Sequence, residues 1–175
     1  KDIKIVTEAA RAIHDDFSIP AALPLLAATL KRNDITGEAL FRRAINANLR
    51  VGKLENAIIL KNFIINSNAP ENMKTTAMAA LAFWELPPQL DAVEGRSRKY
   101  TKRDKTTAVE ALKDLSTAYL LKAPKRILQI YFRAVKKINA PELSSSISKM
   151  YDTGSTFVKI EVLQALKDMK SKDFK

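Results

Sequence analysis

An alanine followed by an aliphatic residue recurs along this chain at spacings typical of a helical repeat. The pairs are Ala12-Ile13, Ala44-Ile45, Ala80-Leu81, Ala134-Val135 and Ala165-Leu166, at intervals of 32, 36, 54 and 31 residues. Three of these intervals fall within the period of roughly 30–47 residues found in two-helix repeats. The long interval contains a stretch rich in proline and charge, residues 87–104, which we interpret as an insertion into an otherwise regular array.

A further apolar residue stands three positions before each alanine: Ala9, Phe41, Ala77, Tyr131 and Val162. Apolar residues at i, i+3 and i+4 share one face of a helix, and a small alanine on that face lets a neighbouring helix approach closely. The pattern predicts an all-α fold, a HEAT-like or armadillo-like α–α superhelix (solenoid) of about four helical hairpins plus one N-terminal helix. A compact helical bundle without repeats is the alternative.

Proline, glycine and capping residues divide the chain into nine predicted helices. Thr36 is a candidate N-cap for the third helix and Gly52 a candidate stop, while several of the prolines stand at helix starts. The predicted helices span residues 2–15, 20–31, 36–50, 54–66, 70–86, 105–121, 124–138, 141–151 and 156–170.

Composition indicates one folded domain over residues 1–175, with 46% hydrophobic and 28% charged residues. The chain has no cysteine, which excludes disulfides, thiol catalysis and iron–sulfur ligation within it. No uninterrupted apolar run reaches 18 residues, so we expect no membrane span. Because its first residues already have a helical pattern, we interpret the chain as part of a longer protein.

The chain carries a net charge of +11, which favours acidic partners such as nucleic acid or phosphate groups. Part of this charge is concentrated in one possible anion-binding or partner-binding loop, formed by Arg96, Arg98, Lys99, Lys102, Arg103 and Lys105. In the alternative interpretation, this loop packs Leu90 and Val93 against the helices and leaves its charges in water.

The sequence contains no pattern that predicts catalysis or metal binding. His14, the only histidine, ends a helix beside two aspartates, where we expect it to cap the helix or hydrogen-bond at the surface. One histidine without cysteine does not make a closed zinc site. We therefore predict no catalytic, metal-binding or cofactor-binding residue. We expect Trp84, at the base of the insertion, to be buried and to hold the insertion against the helices.

Residues 80–96 include Trp84, the pair Pro87-Pro88 and the spacing Asp91-x-Val93-x-Gly95. This segment resembles one in the HEAT-like helical region of large bacterial quinoprotein (PQQ) sugar dehydrogenase-like proteins that also contain cytochrome c modules. Residues 8–15 and 43–52 are similar to further segments of that region, in the same order. The resemblance covers about half the chain, and it implies structural roles for Trp84, Asp91 and Gly95.

In that family a β-propeller typically precedes the helical region and a c-type cytochrome module often follows it. The resemblance transfers no catalytic or cofactor residue to this chain. It implies a non-catalytic scaffold without its own cofactor, which positions other domains or protein partners in an exported, periplasmic protein. A nucleic-acid-binding helical repeat is the alternative, and a generic interaction scaffold is a third possibility. The basic residues cluster in one loop and not at equivalent repeat positions, which argues against nucleic acid.

Overall fold

A computed structural model describes residues 2–16 and 18–169 of the chain, and within them the fold is all-α, as predicted. Its ten α-helices are α1 Ile3–Asp15, α2 Leu23–Ala28, α3 Glu38–Val51, α4 Leu54–Asn66, α5 Glu71–Ala82, α6 Thr106–Lys113, α7 Thr117–Lys122, α8 Lys125–Ile138, α9 Ser144–Thr153 and α10 Thr156–Asp168. Three short 3₁₀ segments are Pro20–Ala22, Thr29–Lys31 and Pro141–Leu143. The described residues contain no strand, only one isolated antiparallel bridge between Leu90 and Ser97.

The helix ends follow local rules with one exception among the predicted signals. Gly52 ends α3 in the left-handed conformation with φ 67°, as predicted, and Asn139 ends α8 in the same way. The prediction of Thr36 as N-cap of α3 is wrong, because Gly37 occupies that position with φ 98°. A positive φ of this size is available mainly to glycine, so the backbone turn into α3 depends on Gly37 and not on a hydroxyl cap.

Two predicted helices differ from the observed ones for identifiable reasons. The predicted helix over 105–121 is two helices, because Ser116 adopts an extended ψ of 129° and the chain begins again as α7. The predicted helix over 70–86 ends at Ala82, since the chain turns after Phe83 and buries Trp84. The predicted end of the last helix, at residue 170, lies outside the described residues.

The helices that carry the alanine pairs are neighbours in space as well as in sequence order. α1 contacts α3, α3 contacts α5, α5 contacts α8, and α8 contacts α10. The intervening helices form a second series, in which α2 contacts α4, α4 contacts α6, and α7 contacts α9. The hydrophobic core lies between these two series and includes residues from every helix.

The alanines of the repeated pairs are buried in four helices and exposed in one. Ala44, Ala134 and Ala165 have no accessible surface, and Ala80 is 7% exposed. Ala12 of α1 is exposed. The alanines of α3, α5, α8 and α10 therefore lie in buried helix faces, where a small side chain permits a neighbouring helix to approach closely.

Candidate functional site

The insertion, residues 87–104, folds back as an ordered loop against the ends of the helices. Its tip is a tight turn in which the Asp91 N–H donates to the Arg96 carbonyl at 2.9 Å and the Gly95 N–H donates to the Asp91 carbonyl at 2.8 Å. Gly95 has φ 71°, which is costly for a residue with a Cβ atom. The segment that carries the family resemblance thus forms a defined loop, and Gly95 supplies its turn.

Trp84 anchors the base of this loop and is 1% exposed, which confirms its predicted burial. The Nε of Arg103 donates to the Trp84 carbonyl at 3.0 Å, and the Arg103 backbone N–H donates to the Glu85 carbonyl at 2.7 Å. These bonds connect the two ends of the insertion. The expectation that Leu90 packs against the helices is wrong, since this side chain is 66% exposed, while Val93 is partly buried.

Asp91 and Arg98 form a buried ion pair inside the loop. The Arg98 Nε donates to Asp91 Oδ2 at 2.8 Å, and the Arg98 guanidinium also contacts the Glu94 carboxylate. Asp91 Oδ1 accepts from the backbone N–H groups of Val93 and Glu94 at 2.8 and 3.3 Å. The two side chains are 6% and 0% exposed, for Arg98 and Asp91 respectively, so neither charge faces solvent.

Burial raises the pKa of the Asp91 carboxyl, but hydrogen bonds from the Val93 N–H and from Arg98 lower it more. A coulombic contribution from His14 lowers it further, and the net pKa lies below its ordinary value. Asp91 is therefore held as a carboxylate by the loop around it.

His14 lies under this loop and is fully buried, so the expectation of a surface histidine is wrong. Its Nδ1 lies 2.8 Å from Asp15 Oδ1, its Nε2 lies 2.9 Å from Asn46 Oδ1, and its Nε2 lies 3.9 Å from Asp91 Oδ2. The histidine does end α1, as expected, but it joins α1 to α3 and to the insertion. Its partner Asn46 stands 32 residues away, and nothing local in the sequence indicates this pairing.

Four of the loop's six cations donate to backbone carbonyls at the ends of helices. Arg98 and Arg96 donate to the carbonyls of His14 and Asp15 at the end of α1, at 3.3 and 3.2 Å. Arg103 donates to the Leu49 carbonyl of α3 at 2.8 Å. Lys105 donates to the Ile138 and Asn139 carbonyls at the end of α8, at 3.2 and 3.3 Å.

The last carbonyls of a helix lack intrahelical partners and carry a partial negative charge, which cations stabilise. Of the remaining two loop cations, Lys102 lies 3.2 Å from the Glu85 carboxylate and is 73% exposed. Lys99 is exposed and makes no hydrogen bond or ion pair with the described part of the chain. Most of the six loop cations therefore contact groups of the protein itself.

A small apolar cleft of about 170 Å³ lies between the insertion, α3 and α5. Its walls are mostly aliphatic, proline and phenylalanine side chains, and polar groups at its margin come from Arg42, Asn46, Thr76, Asp91 and Tyr100. Sequence reasoning did not identify Asn46, which lies beside the insertion only because the insertion folds back onto α3.

His14, Asp15 and Glu94 bring possible metal-ligating atoms within 4.8 Å of one another. Each already has a protein partner: Asn46 for His14, Arg43 for Asp15 at 3.2 Å, and Arg98 for Glu94. Guanidinium groups therefore lie against two of the three residues, and the carboxylate charges of the cluster are at least partly neutralised by Arg43 and Arg98.

A scan against protein-family models finds no matching family, and searches of curated proteins and of solved structures find no match. Within residues 2–16 and 18–169, no helix is both long enough and apolar enough to cross a membrane.

Proposed function

We propose that this chain is a non-catalytic, HEAT-like α–α superhelix that serves as a scaffold within a larger, exported sugar-oxidising quinoprotein. In this role it positions other domains of the same polypeptide, or protein partners, and binds no cofactor itself. The proposal rests on the stacked helices, on the internal use of the loop's charged groups, and on the resemblance of residues 80–96.

The scaffold proposal depends on one observation: the histidine, carboxylate and guanidinium side chains that could take part in catalysis are bonded to other groups of the protein. His14, Asp91 and Arg98 are buried and bonded to one another or to helix ends. A catalytic site needs polar groups that converge on a space where a reacting atom can sit. Here the polar groups converge on each other, and the nearby cleft is lined mostly by apolar side chains.

The helix contacts support the superhelical architecture in particular. Each alanine-bearing helix contacts the next one in chain order. In a solenoid each repeat contacts only its neighbours, and the stacked repeats present extended surfaces for partners. The insertion donates hydrogen bonds to the carboxyl ends of α1 and α3, and so connects these two helices.

The resemblance supports the quinoprotein context, because the residues that carry it have structural roles in the fold. Trp84 is a buried anchor, Asp91 is the carboxylate at the centre of the loop, and Gly95 makes its turn. A shared loop of this kind is consistent with a helical region placed between a sugar-oxidising propeller and a cytochrome module.

The test is dye reduction by the purified chain, supplied with pyrroloquinoline quinone and a panel of aldose sugars. We expect a rate equal to that of a blank without protein. Turnover that disappears in Asp91→Asn but persists in Asp34→Asn, an exposed control, would contradict a scaffold without its own activity. In parallel, titration calorimetry with a propeller module of the quinoprotein family is expected to show saturable binding, and the absence of heat would contradict the quinoprotein context.

A nucleic-acid-binding helical repeat is the second candidate, and the net charge of +11 favours it. Neutralisation of phosphates requires cations free to meet them. In the insertion, that description fits Lys99 and Lys102 best, since Arg98 and Arg103 donate to helix carbonyls. The two lysines are therefore the residues on which the two candidates can be separated.

A further inference from the structure

The cleft between the insertion, α3 and α5 has the size and the lining of a site for a small ligand. Its volume is about 170 Å³, which compares with roughly 150 Å³ for an engineered apolar cavity that binds benzene. Ile45, Leu49 and Phe83 form part of its walls, and Leu90, whose side chain is 66% exposed, stands at its opening. The cleft therefore has room for one aromatic ring with a small substituent.

Three of the five polar side chains that line the cleft are already hydrogen-bonded within the protein. The Arg42 Nε donates to Glu38 Oε1 at 2.8 Å, and the Thr76 hydroxyl donates to the Asn72 carbonyl at 2.7 Å. The Asp91 carboxylate accepts three hydrogen bonds from the insertion itself. A charged ligand would lose its water here without gaining a free counter-charge from the lining, so the cleft favours a neutral one.

The other two polar side chains, Asn46 and Tyr100, have donor groups without a partner in the described part of the chain. Asn46 is only 8% exposed, and its Oδ1 lies 2.9 Å from His14 Nε2, so its amide nitrogen remains unused. The Tyr100 hydroxyl makes no hydrogen bond with residues 2–16 or 18–169. Burial raises the pKa of Tyr100, so the hydroxyl stays protonated and can donate. Both groups can therefore donate to an acceptor oxygen in the cleft.

We propose that this cleft binds a neutral aromatic molecule with one carbonyl oxygen, of which an aryl ketone is the simplest example. The ring lies between the apolar walls, and the oxygen accepts hydrogen bonds from the Asn46 amide and the Tyr100 hydroxyl. Ligand pockets commonly combine apolar walls with a few polar groups that fix the orientation of the ligand. This inference goes beyond the scaffold role and does not depend on the quinoprotein context.

The test is titration of the isotope-labelled chain with acetophenone, followed by two-dimensional NMR. We expect saturable shifts of residues that line the cleft, with a Kd on the order of 1 mM, as for other ligands of about nine non-hydrogen atoms. Ethylbenzene, which has the same ring and a similar shape without the oxygen, is titrated in parallel. Benzoate tests the charge of the ligand and is expected to bind more weakly than acetophenone.

Tyr100→Phe removes one donor and keeps the ring. It should weaken acetophenone binding about 3–10-fold and change ethylbenzene binding by less than about 2-fold. Tyr151→Phe removes a hydroxyl from a tyrosine of α9 that is 40% exposed, and this matched control should bind both molecules like the wild type. Ala79→Leu fills the cleft and should abolish the binding of both.

Absence of saturable shifts with acetophenone up to about 20 mM would overturn the proposal. Binding that survives Ala79→Leu, an equal loss of both molecules in Tyr100→Phe, or tighter binding of benzoate than of acetophenone would also overturn it. Circular dichroism verifies the fold of each variant, and Ala92→Leu, at an exposed position of the cleft, replaces Ala79→Leu if that variant does not fold. A chain that binds no ketone and turns over no sugar would refute this site and leave the scaffold proposal intact.

Discussion

The guanidinium carbon of Arg103 lies 4.8 Å from the centre of the Trp84 indole ring. Trp84 precedes the insertion in sequence, and Arg103 lies near the insertion's other end. The same guanidinium donates to the Trp84 and Leu49 carbonyls, so one side chain joins both ends of the insertion to the end of α3. A cation over an indole face is favourable, and the two hydrogen bonds fix its position.

Replacement of Trp84 is expected to be strongly destabilising. Trp84→Ala should lower the free energy of unfolding by about 3–5 kcal/mol, because it leaves a large cavity under the insertion. Trp84→Phe keeps a ring for Arg103 to cover and should cost less. Urea unfolding followed by far-UV circular dichroism measures both values. A loss below about 1 kcal/mol for the alanine variant would show that the loop is not docked on this side chain.

Two glycines with nearly equal positive φ should respond differently to alanine. Gly52 and Gly95 have φ 67° and 71°, so alanine at either position costs about 1–2 kcal/mol of backbone strain. A Cβ atom at residue 52 would also collide with the guanidinium of Arg103, whereas one at residue 95 meets no atom within 4 Å. Gly52→Ala should therefore lose the Arg103 hydrogen bonds as well, about 1.5–3 kcal/mol more.

Denaturant titration of the two variants gives the difference directly. Combining Gly52→Ala with Arg103→Met should then cost less than the sum of the two changes, because both remove the same hydrogen bonds, and it should exceed Arg103→Met alone only by the backbone strain at residue 52. Equal stabilities for Gly52→Ala and Gly95→Ala would contradict the position of Arg103 described here.

Among the sequence-based expectations, those that depend on neighbouring residues are the most accurate. The all-α fold, the stop at Gly52 and the burial of Trp84 follow from helical periodicity, a glycine C-cap and a large apolar residue at a helix end. The position of Arg98 depends instead on Asp91 in the turn and on the His14 carbonyl 84 residues away. A run of six cations in sequence does not reveal which ones lie above helix ends, since that depends on how the insertion crosses the stack.

The stability of the protein should depend on pH through Asp91. A carboxyl whose pKa is lowered by folding contributes stability above its unfolded pKa of about 3.9, and this contribution is lost as the pH falls through the folded pKa. Asp91→Asn removes one of the two carboxylates that contact the buried Arg98 and leaves Glu94 as the other, so it should cost about 1–3 kcal/mol at pH 7. The difference from the wild type should shrink as the pH is lowered below about 4.

Urea unfolding of the wild type and Asp91→Asn between neutral and acidic pH gives this dependence. Asp34→Asn is the control, because the pKa of Asp34 is also lowered by its ion pair with Arg32, but at an exposed position. Its effect should be small at every pH. A constant difference between Asp91→Asn and the wild type across the acidic range would show that folding does not lower the pKa of Asp91.

Duplex DNA should bind weakly and in a salt-dependent manner, through the two lysines of the insertion that project into solvent. Lys99→Gln with Lys102→Gln should reduce the slope of log affinity against log salt by about 2, close to 0.9 per lost phosphate contact. Lys149→Gln with Lys167→Gln, two exposed lysines on helices elsewhere, is the matched control. Replacement of all six loop cations would be uninformative, because it removes Arg98 and Arg103 from helix ends.

Fluorescence anisotropy at two salt concentrations gives the slope for each protein. Tight binding that persists at physiological salt and disappears only in the Lys99 and Lys102 variant would favour the nucleic-acid function over the scaffold. Equal slopes for the loop variant and its control would mean that the insertion does not contact phosphate.

The bonds from the insertion to the end of α1 also determine how the molecule comes apart. A simple stack frays from its ends, since each terminal repeat depends on one neighbour only. In this chain, Arg96 donates a hydrogen bond to the Asp15 carbonyl and Arg98 donates one to the His14 carbonyl. These pairs are 81 and 84 residues apart in sequence. Separation of α1 therefore breaks bonds to the insertion as well as contacts with α3, so we expect the opening of α1 to be coupled to the loop.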